Sequence, residues 1–219
     1  DYPAEIRAPH GTVSGVSGFQ VHIGSEHITT PGDFCDLLVA MNPAALKQNV
    51  KFLKAGGVII VDIDSFKESD LKKALFETDE PFKELGITAQ VLEVPVTSMT
   101  KNALADSGLD NKSMLKCRNI FALGLVCWLF DRPLESALHH LKTKFAKKPA
   151  IFEANAKVIQ AGFDYGHNIH ASVSTYRIES DEIKPGVYTD INGNTATAWG
   201  LIMASEKAGR PLFLGSYPI

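Results

Sequence analysis

Residues 35–64 constrain the fold most tightly. The run Leu37-Leu38-Val39-Ala40-Met41 is unbroken and apolar. It is too short for a buried helix and lacks the alternation of a strand with one wet face, so it reads as a buried parallel strand. Asn42 and Pro43 then open a helix, Asn accepting from free N–H groups and Pro occupying a position where its missing donor costs nothing. Leu46, Val50 and Leu53 recur at helical spacing and predict one apolar face for the sheet, with Lys47, Lys51 and Lys54 elsewhere on the surface. Gly56-Gly57 is expected to end this helix, and Val58-Ile59-Ile60-Val61 to form a second buried strand. Strand, helix and strand in so short a span imply a right-handed crossover in a parallel sheet.

The flanking segments extend the same plan. Phe19, Val21 and Ile23 alternate and predict a strand over 19–23, with His22 on its polar face; Gly11, Gly15 and Gly18 before it read as bends. A phosphate-cradling loop would have to follow a strand and open a helix, and this one does neither. Ser65 and Glu68 match a capping box, which predicts a helix over 66–76. An acidic loop over 78–86 and a third strand over 87–96 follow, with Pro95 at the strand's exit. A short helix over 98–107 stops at Gly108, and 111–130 reads as one long helix buried on most sides. Pro133 starts a helix through Phe145, and Pro149 another through Ala161 that Gly162 closes. Residues 172–178 alternate like an edge strand. The charged stretch 179–186, ending in Pro185-Gly186, is the best linker. It divides the chain into domains at 1–184 and 185–219. Beyond it, turn residues 190–194 lead to a helix over 195–208 dense in small residues, Gly209 stops it, and Leu212-Phe213-Leu214 starts a strand. One helix and one strand cannot bury their own apolar faces.

The expected fold is therefore α/β: a three-layer α/β/α domain on a mainly parallel sheet, followed by the first helix and strand of a second α/β domain. Composition excludes several functions. A formal net charge of −3 and a pI near 6.2 give no reason to expect nucleic acid. No apolar run reaches the roughly 20 residues of a membrane span, so neither membrane nor export is indicated and the chain is expected in the cytoplasm. Cys35, Cys117 and Cys127 are odd in number and far apart, which fits neither a disulfide framework nor a cluster site, and Cys127 reads as an inert buried thiol. His139, His140, His167 and His170 lack the carboxylate or Cys companions of a metal site. Lys142, Lys144, Lys147 and Lys148 cluster between two helices, read either as a solvated face at a helix C-terminus or as a site for a phosphorylated ligand. No nucleophile elbow, carboxylate pair, metal-ligand set or dinucleotide fingerprint is present, so no residue is assigned a catalytic role.

The two ends carry more. Asn192-Gly193-Asn194-Thr195-Ala196, then a small-residue helix, then Gly215-Ser216-Tyr217-Pro218-Ile219 resembles the start of the α subunit of 2-oxoacid:ferredoxin oxidoreductases. Tyr2-Pro3-x-Glu5-x-Arg7, the Leu37–Asn42 strand followed by Pro43, and the run Arg118-Asn119-Ile120-Phe121-Ala122-Leu123-Gly124 are similar to the γ domain of the same enzymes. A γ domain fused ahead of an α domain resembles the 2-oxoglutarate type, here cut at both ends. The resemblance implies oxidative decarboxylation of a 2-oxoacid with coenzyme A, through thiamine diphosphate, Mg and iron–sulfur clusters in the assembled complex, with electrons passed to ferredoxin. It further implies a partner β subunit, no cofactor held by this chain alone, and a polypeptide that is inactive by itself. Tyr217, Pro218 and Ile219, with Asn192, Gly193 and Asn194, would then sit at the substrate and cofactor edge. Asn192 is equally a helix cap, and Tyr217 equally a strand-end aromatic. Glu5 and Arg7 are either an ion pair tying down a Pro-rich loop or an interface and coenzyme-A edge. The alternative is a free-standing α/β ligand-binding or partner-docking module without redox activity.

Overall fold

The computed structural model describes residues 15–25, 28, 30–169, 175–179, 184–189 and 191–215, which fall into two compact units within 15–179 and 184–215. The first is organised by three parallel strands. Strand β1 (Cys35–Ala40) is followed by helix α1 (Pro43–Asn49) and strand β2 (Leu53–Asp62). Helices α2 (Glu68–Lys73) and α3 (Pro81–Glu84) lead to β3 (Gln90–Val94). The strand order is β1-β2-β3, so β2 is central. Its side chains alternate between two buried clusters, as a strand covered on both faces requires. Val58 and Ile60 join Leu92, Val94, Phe121 and Leu125 on one side; Ile59 and Val61 join Ala40 and Leu46 on the other. The first cluster is covered by α4 (Val96–Ala103), α6 (Arg118–Leu129) and α8 (Pro149–Ile169), with α5 (Asn111–Leu115) and α7 (Glu135–Lys144) completing that layer. These are the three layers expected from sequence.

Asn42 does cap α1, its side-chain oxygen accepting from Ala45 N at 2.8 Å. Gly56-Gly57 does not end that helix. The helix stops at Asn49, a 3₁₀ turn covers Val50–Phe52, and the chain is already extended at Leu53. Cys35 pairs with Leu53 but Leu37 with Val58, so residues 54–57 of β2 bulge opposite Asp36 alone. Gly56 takes φ +79° there, and a methyl on Gly57 would lie 2.9 Å from Asp36 O. The glycines serve a kink in a strand rather than the end of a helix.

The capping box at Ser65 and Glu68 also fails to form. Ile63–Ser65 is a 3₁₀ turn, and α2 begins after Lys67 with no side-chain cap. Ser65 Oγ instead donates to the buried Asp62 carboxylate (3.2 Å), where an unmet acceptor costs more than a frayed helix end. The predicted helix over 111–130 is broken near Lys116-Cys117 into α5 and α6. Gly162 does not close α8 either, because the helix runs on to Ile169. A methyl on Gly162 would meet Phe121 O at 2.1 Å, and one on Gly124 would meet Ile159 O at 2.1 Å. Their role is the close approach of α6 and α8.

Three expected strands are absent from the described residues. Segment 19–23 is irregular, held by Gln20 Nε2 donating to Pro31 O and Gly32 O (2.7 and 2.8 Å) and by His22 Nδ1 to Thr30 O (2.9 Å). Phe19, Val21 and Ile23 point into solvent. Residues 175–178 are likewise irregular; Tyr176 N donates to Leu129 O (2.7 Å) and its ring stacks on Phe130 with centroids 5.0 Å apart. The rest of the predicted strand, 172–174, lies outside the described residues. In the second unit, α9 (Gly193–Ala208) is present, with Gly209 at φ +59° as its left-handed cap. Leu212, Phe213 and Leu214 are exposed and form no ladder. A strand exists only against another strand edge, and apolar alternation alone does not supply one.

Candidate functional site

In open parallel sheets, ligands meet the protein at the carboxyl ends of the strands. Here that edge is formed by Met41-Asn42 after β1, Asp62 to Ser65 after β2, and Pro95 to Ser98 after β3. Polar side chains begin within three residues of each strand's end, Asn42 after β1, Asp64 and Ser65 after β2, and Thr97 and Ser98 after β3, so they gather at this rim. Asn42 works in two directions: besides capping α1, its Nδ2 donates to Gly15 O (3.0 Å) and pins the incoming loop. Gly15 takes φ +85°, which favours glycine at that point.

Asp62 is fully buried. Its carboxylate accepts from Thr97 Oγ1 at 2.6 Å, Thr97 N at 3.2 Å and Ser65 Oγ at 3.2 Å. Asp64 accepts from Ser98 N at 2.6 Å and Ser98 Oγ at 2.9 Å. Two carboxylates thus bind the first turn of α4, where free N–H groups favour negative charge. They lock the ends of β2 and β3 together. Asp62, Asp64, Thr97 and Ser98 were not anticipated as a group, although acidic and hydroxyl residues directly after two apolar runs are the pattern that could have revealed them.

The rim is a frame. Its carboxylates are engaged with hydroxyl and N–H donors of the same chain. Among the described residues no group of three or more His, Cys, Asp or Glu is placed to hold a metal ion. The residues described do not fit a diphosphate cofactor with its divalent ion, nor an iron–sulfur cluster. Burial pushes the Cys35, Cys117 and Cys127 thiols above their ordinary range, with Arg132 pulling Cys127 the other way, so none is disposed to ionise. His139 and His140 are exposed, and His167 lies edge-on to Phe163, with centroids 5.0 Å apart, and to Trp128.

Of the sequence-derived candidates, Asn192, Gly193 and Asn194 come together at the start of α9. Asn192 Oδ1 accepts from Thr195 N (2.8 Å), so this Asn acts as the helix cap, with exposed Gly193 and Asn194 following. Glu5, Arg7, Tyr217, Pro218 and Ile219 lie outside the described residues. No helix among the described residues is long and apolar enough to cross a membrane.

A parallel sheet clad on both faces, with a hydrogen-bonded polar rim, defines the first unit as an open α/β domain. The sequence model of the family described as pyruvate ferredoxin/flavodoxin oxidoreductase matches residues 1–165. Over 220 aligned positions the chain is 44% identical to the 2-oxoglutarate oxidoreductase subunit KorA of Mycobacterium tuberculosis, covering 100% of this chain and 34% of that protein. Its fold is similar to that of the 2-oxoglutarate:ferredoxin oxidoreductase from Magnetococcus marinus, solved with 2-oxoglutarate, coenzyme A and succinyl-CoA bound. The TM-score is 0.55 at 20% identity, over 87% of this chain and 34% of the other. The chain belongs to the pyruvate ferredoxin/flavodoxin oxidoreductase family, and spans about a third of the length of the relatives it matches.

Proposed function

We propose that the chain is part of a subunit of a 2-oxoacid:ferredoxin oxidoreductase that oxidatively decarboxylates 2-oxoglutarate with coenzyme A to an acyl-CoA and passes the electrons to ferredoxin. One observation carries this reading: 44% identity to a 2-oxoglutarate oxidoreductase subunit across the whole chain. Residues 1–184 are assigned as the γ domain and 185–219 as the start of the α domain. The enzyme is cytoplasmic and pairs with a β subunit. Thiamine diphosphate, Mg and iron–sulfur clusters belong to the assembled complex, which is where the chemistry lies. The contribution of the first unit is mechanical. Asp62 and Asp64 hold the strand ends to α4, Asn42 holds the loop at Gly15, and a domain so cross-linked keeps its shape against a neighbour. Tyr217, Pro218 and Ile219, with Asn192, Gly193 and Asn194, are assigned to the substrate and cofactor edge, and Glu5 and Arg7 to an interface or coenzyme-A side.

The test is the composition of the natural complex. Purified through a tag on this chain, it should contain a second subunit together with thiamine diphosphate and iron–sulfur clusters. A monodisperse product without partner or thiamine diphosphate would instead support a free-standing ligand-binding or docking module.

A further inference from the structure

We propose that the outer edge of β1 pairs with a further parallel strand, supplied by the same polypeptide from outside these 219 residues. Among the described residues the sheet has β1 and β3 at its edges, and their sequences are unlike. β3 reads as an edge, because Gln90 and Glu93 are polar and exposed, and such residues discourage another strand from adding. β1 does not. Its one charge, Asp36, stands opposite the bulge and pairs with Lys54 at 2.9 Å, while Leu37-Leu38-Val39-Ala40 carries none. Leu37, Leu38 and Val39 are only half-buried, yet their partners in β2, Val58, Ile59 and Ile60, are buried. An unbroken apolar run of this kind belongs inside a parallel sheet, with a neighbour on each side.

The helical layers point to the same edge. Leu46 of α1 and Phe82 of α3 lie on the face of Ile59 and Val61, and the crossovers on that face step the chain from β1 to β2 to β3. Phe121 of α6 and Val158 of α8 lie on the opposite face, with Val58 and Ile60. Right-handed crossovers over opposite faces step in opposite directions. A strand joined through the α6 and α8 face therefore lands beyond β1, because the inner positions are taken. The chain entering at Gly15 is also tied by Asn42 to the carboxyl end of β1, where a strand parallel to β1 would finish.

The direction of the missing strand selects its source. A second copy related by a two-fold axis would pair β1 with β1, which is antiparallel. A parallel neighbour arrives by a crossover of a dozen or more residues, and a crossover belongs to one chain. The relatives this chain matches supply the length, since it spans only 34% of each. The completed sheet is independent of the reaction proposed above.

The experiment is hydrogen exchange read by mass spectrometry with residue-resolving fragmentation. It compares the 219-residue chain with the complete polypeptide its gene encodes, each without other subunits and at two protein concentrations. In a parallel strand alternate residues bond to alternate neighbours, so about half the amides over 37–41 point away from β2. In the 219-residue chain those amides should exchange within about tenfold of the unstructured rate, and in the complete polypeptide at least about a hundredfold more slowly, at either concentration. If the shorter chain does not fold, the complete polypeptide decides alone, its outward amides being read against the unstructured rate. Fast exchange in the complete polypeptide would overturn the proposal. So would equal protection in the 219-residue chain, protection that appears only at the higher concentration or only when another subunit is added, or a gene that encodes no further residues. Dye turnover plays no part in these readings, so their failure would leave the oxidoreductase reading standing.

Discussion

Glu84 shows how a single carboxylate can tie a surface turn together. Burial opposes its ionisation, but Thr78 N, Glu77 N, Thr78 Oγ1 and the Lys47 ammonium outweigh that cost and hold its carboxyl below the usual range. Its folded pKa therefore lies below the unfolded one. The stability it contributes is fully present above the unfolded carboxylate range and is lost as pH falls through the folded value. Glu84→Gln should have a lower urea midpoint than wild type at neutral pH, and the two curves should converge on acidification. A difference that stays constant down to strongly acidic pH would exclude the assigned role. Such roles were only partly legible in the sequence. Asn42, Asn192 and Gly209 were readable as caps because capping depends on residues a few positions apart. Ser65 was misread because its partner, Asp62, is itself fixed by Thr97, a residue brought close only when β2 and β3 pair.

Among the elements, the buried strands were the most legible, because Leu37 to Ala40 and Val58 to Val61 have no polar position to offer water. Glycine was the least legible. Gly56-Gly57 and Gly162 look like helix stops in sequence, and both serve close backbone approach instead. At the α6–α8 crossing a methyl on Gly162 must displace main chain, whereas Gly200 in α9 has nothing within 4 Å. Gly162→Ala should therefore destabilise the first unit by about 3 kcal/mol, and Gly200→Ala should cost nothing and gain about 0.5 kcal/mol from helix propensity. Denaturant midpoints measure both; a neutral Gly162→Ala would mean that the two helices are not in such close contact. The expected strands at 19–23 and 212–214 were misread for the opposite reason. Alternation specifies which face a strand would bury but brings no partner strand with it, and neither segment joins a ladder among the described residues.

For the whole molecule, the sequence pattern specified an α/β architecture and left the chemistry unassigned, because no catalytic constellation is written in these residues. In the rim, Asp62 and Asp64 are bonded to Thr97 and Ser98, and Asn42 to Gly15 O and Ala45 N, which ties the strand ends to the loops and helices that follow them. Family membership supplies what local pattern could not, since the resemblance lay in short segments at the ends and in scattered runs rather than in one motif. We propose that these residues form part of a 2-oxoacid oxidoreductase subunit whose reaction requires the assembled complex. The most direct test is coenzyme A-dependent formation of succinyl-CoA from 2-oxoglutarate, followed by mass spectrometry with a viologen acceptor. The intact complex should form succinyl-CoA in step with dye reduction, and the isolated 219-residue chain should form none. Product from the isolated chain, or a fully loaded complex that leaves 2-oxoglutarate untouched, would contradict it.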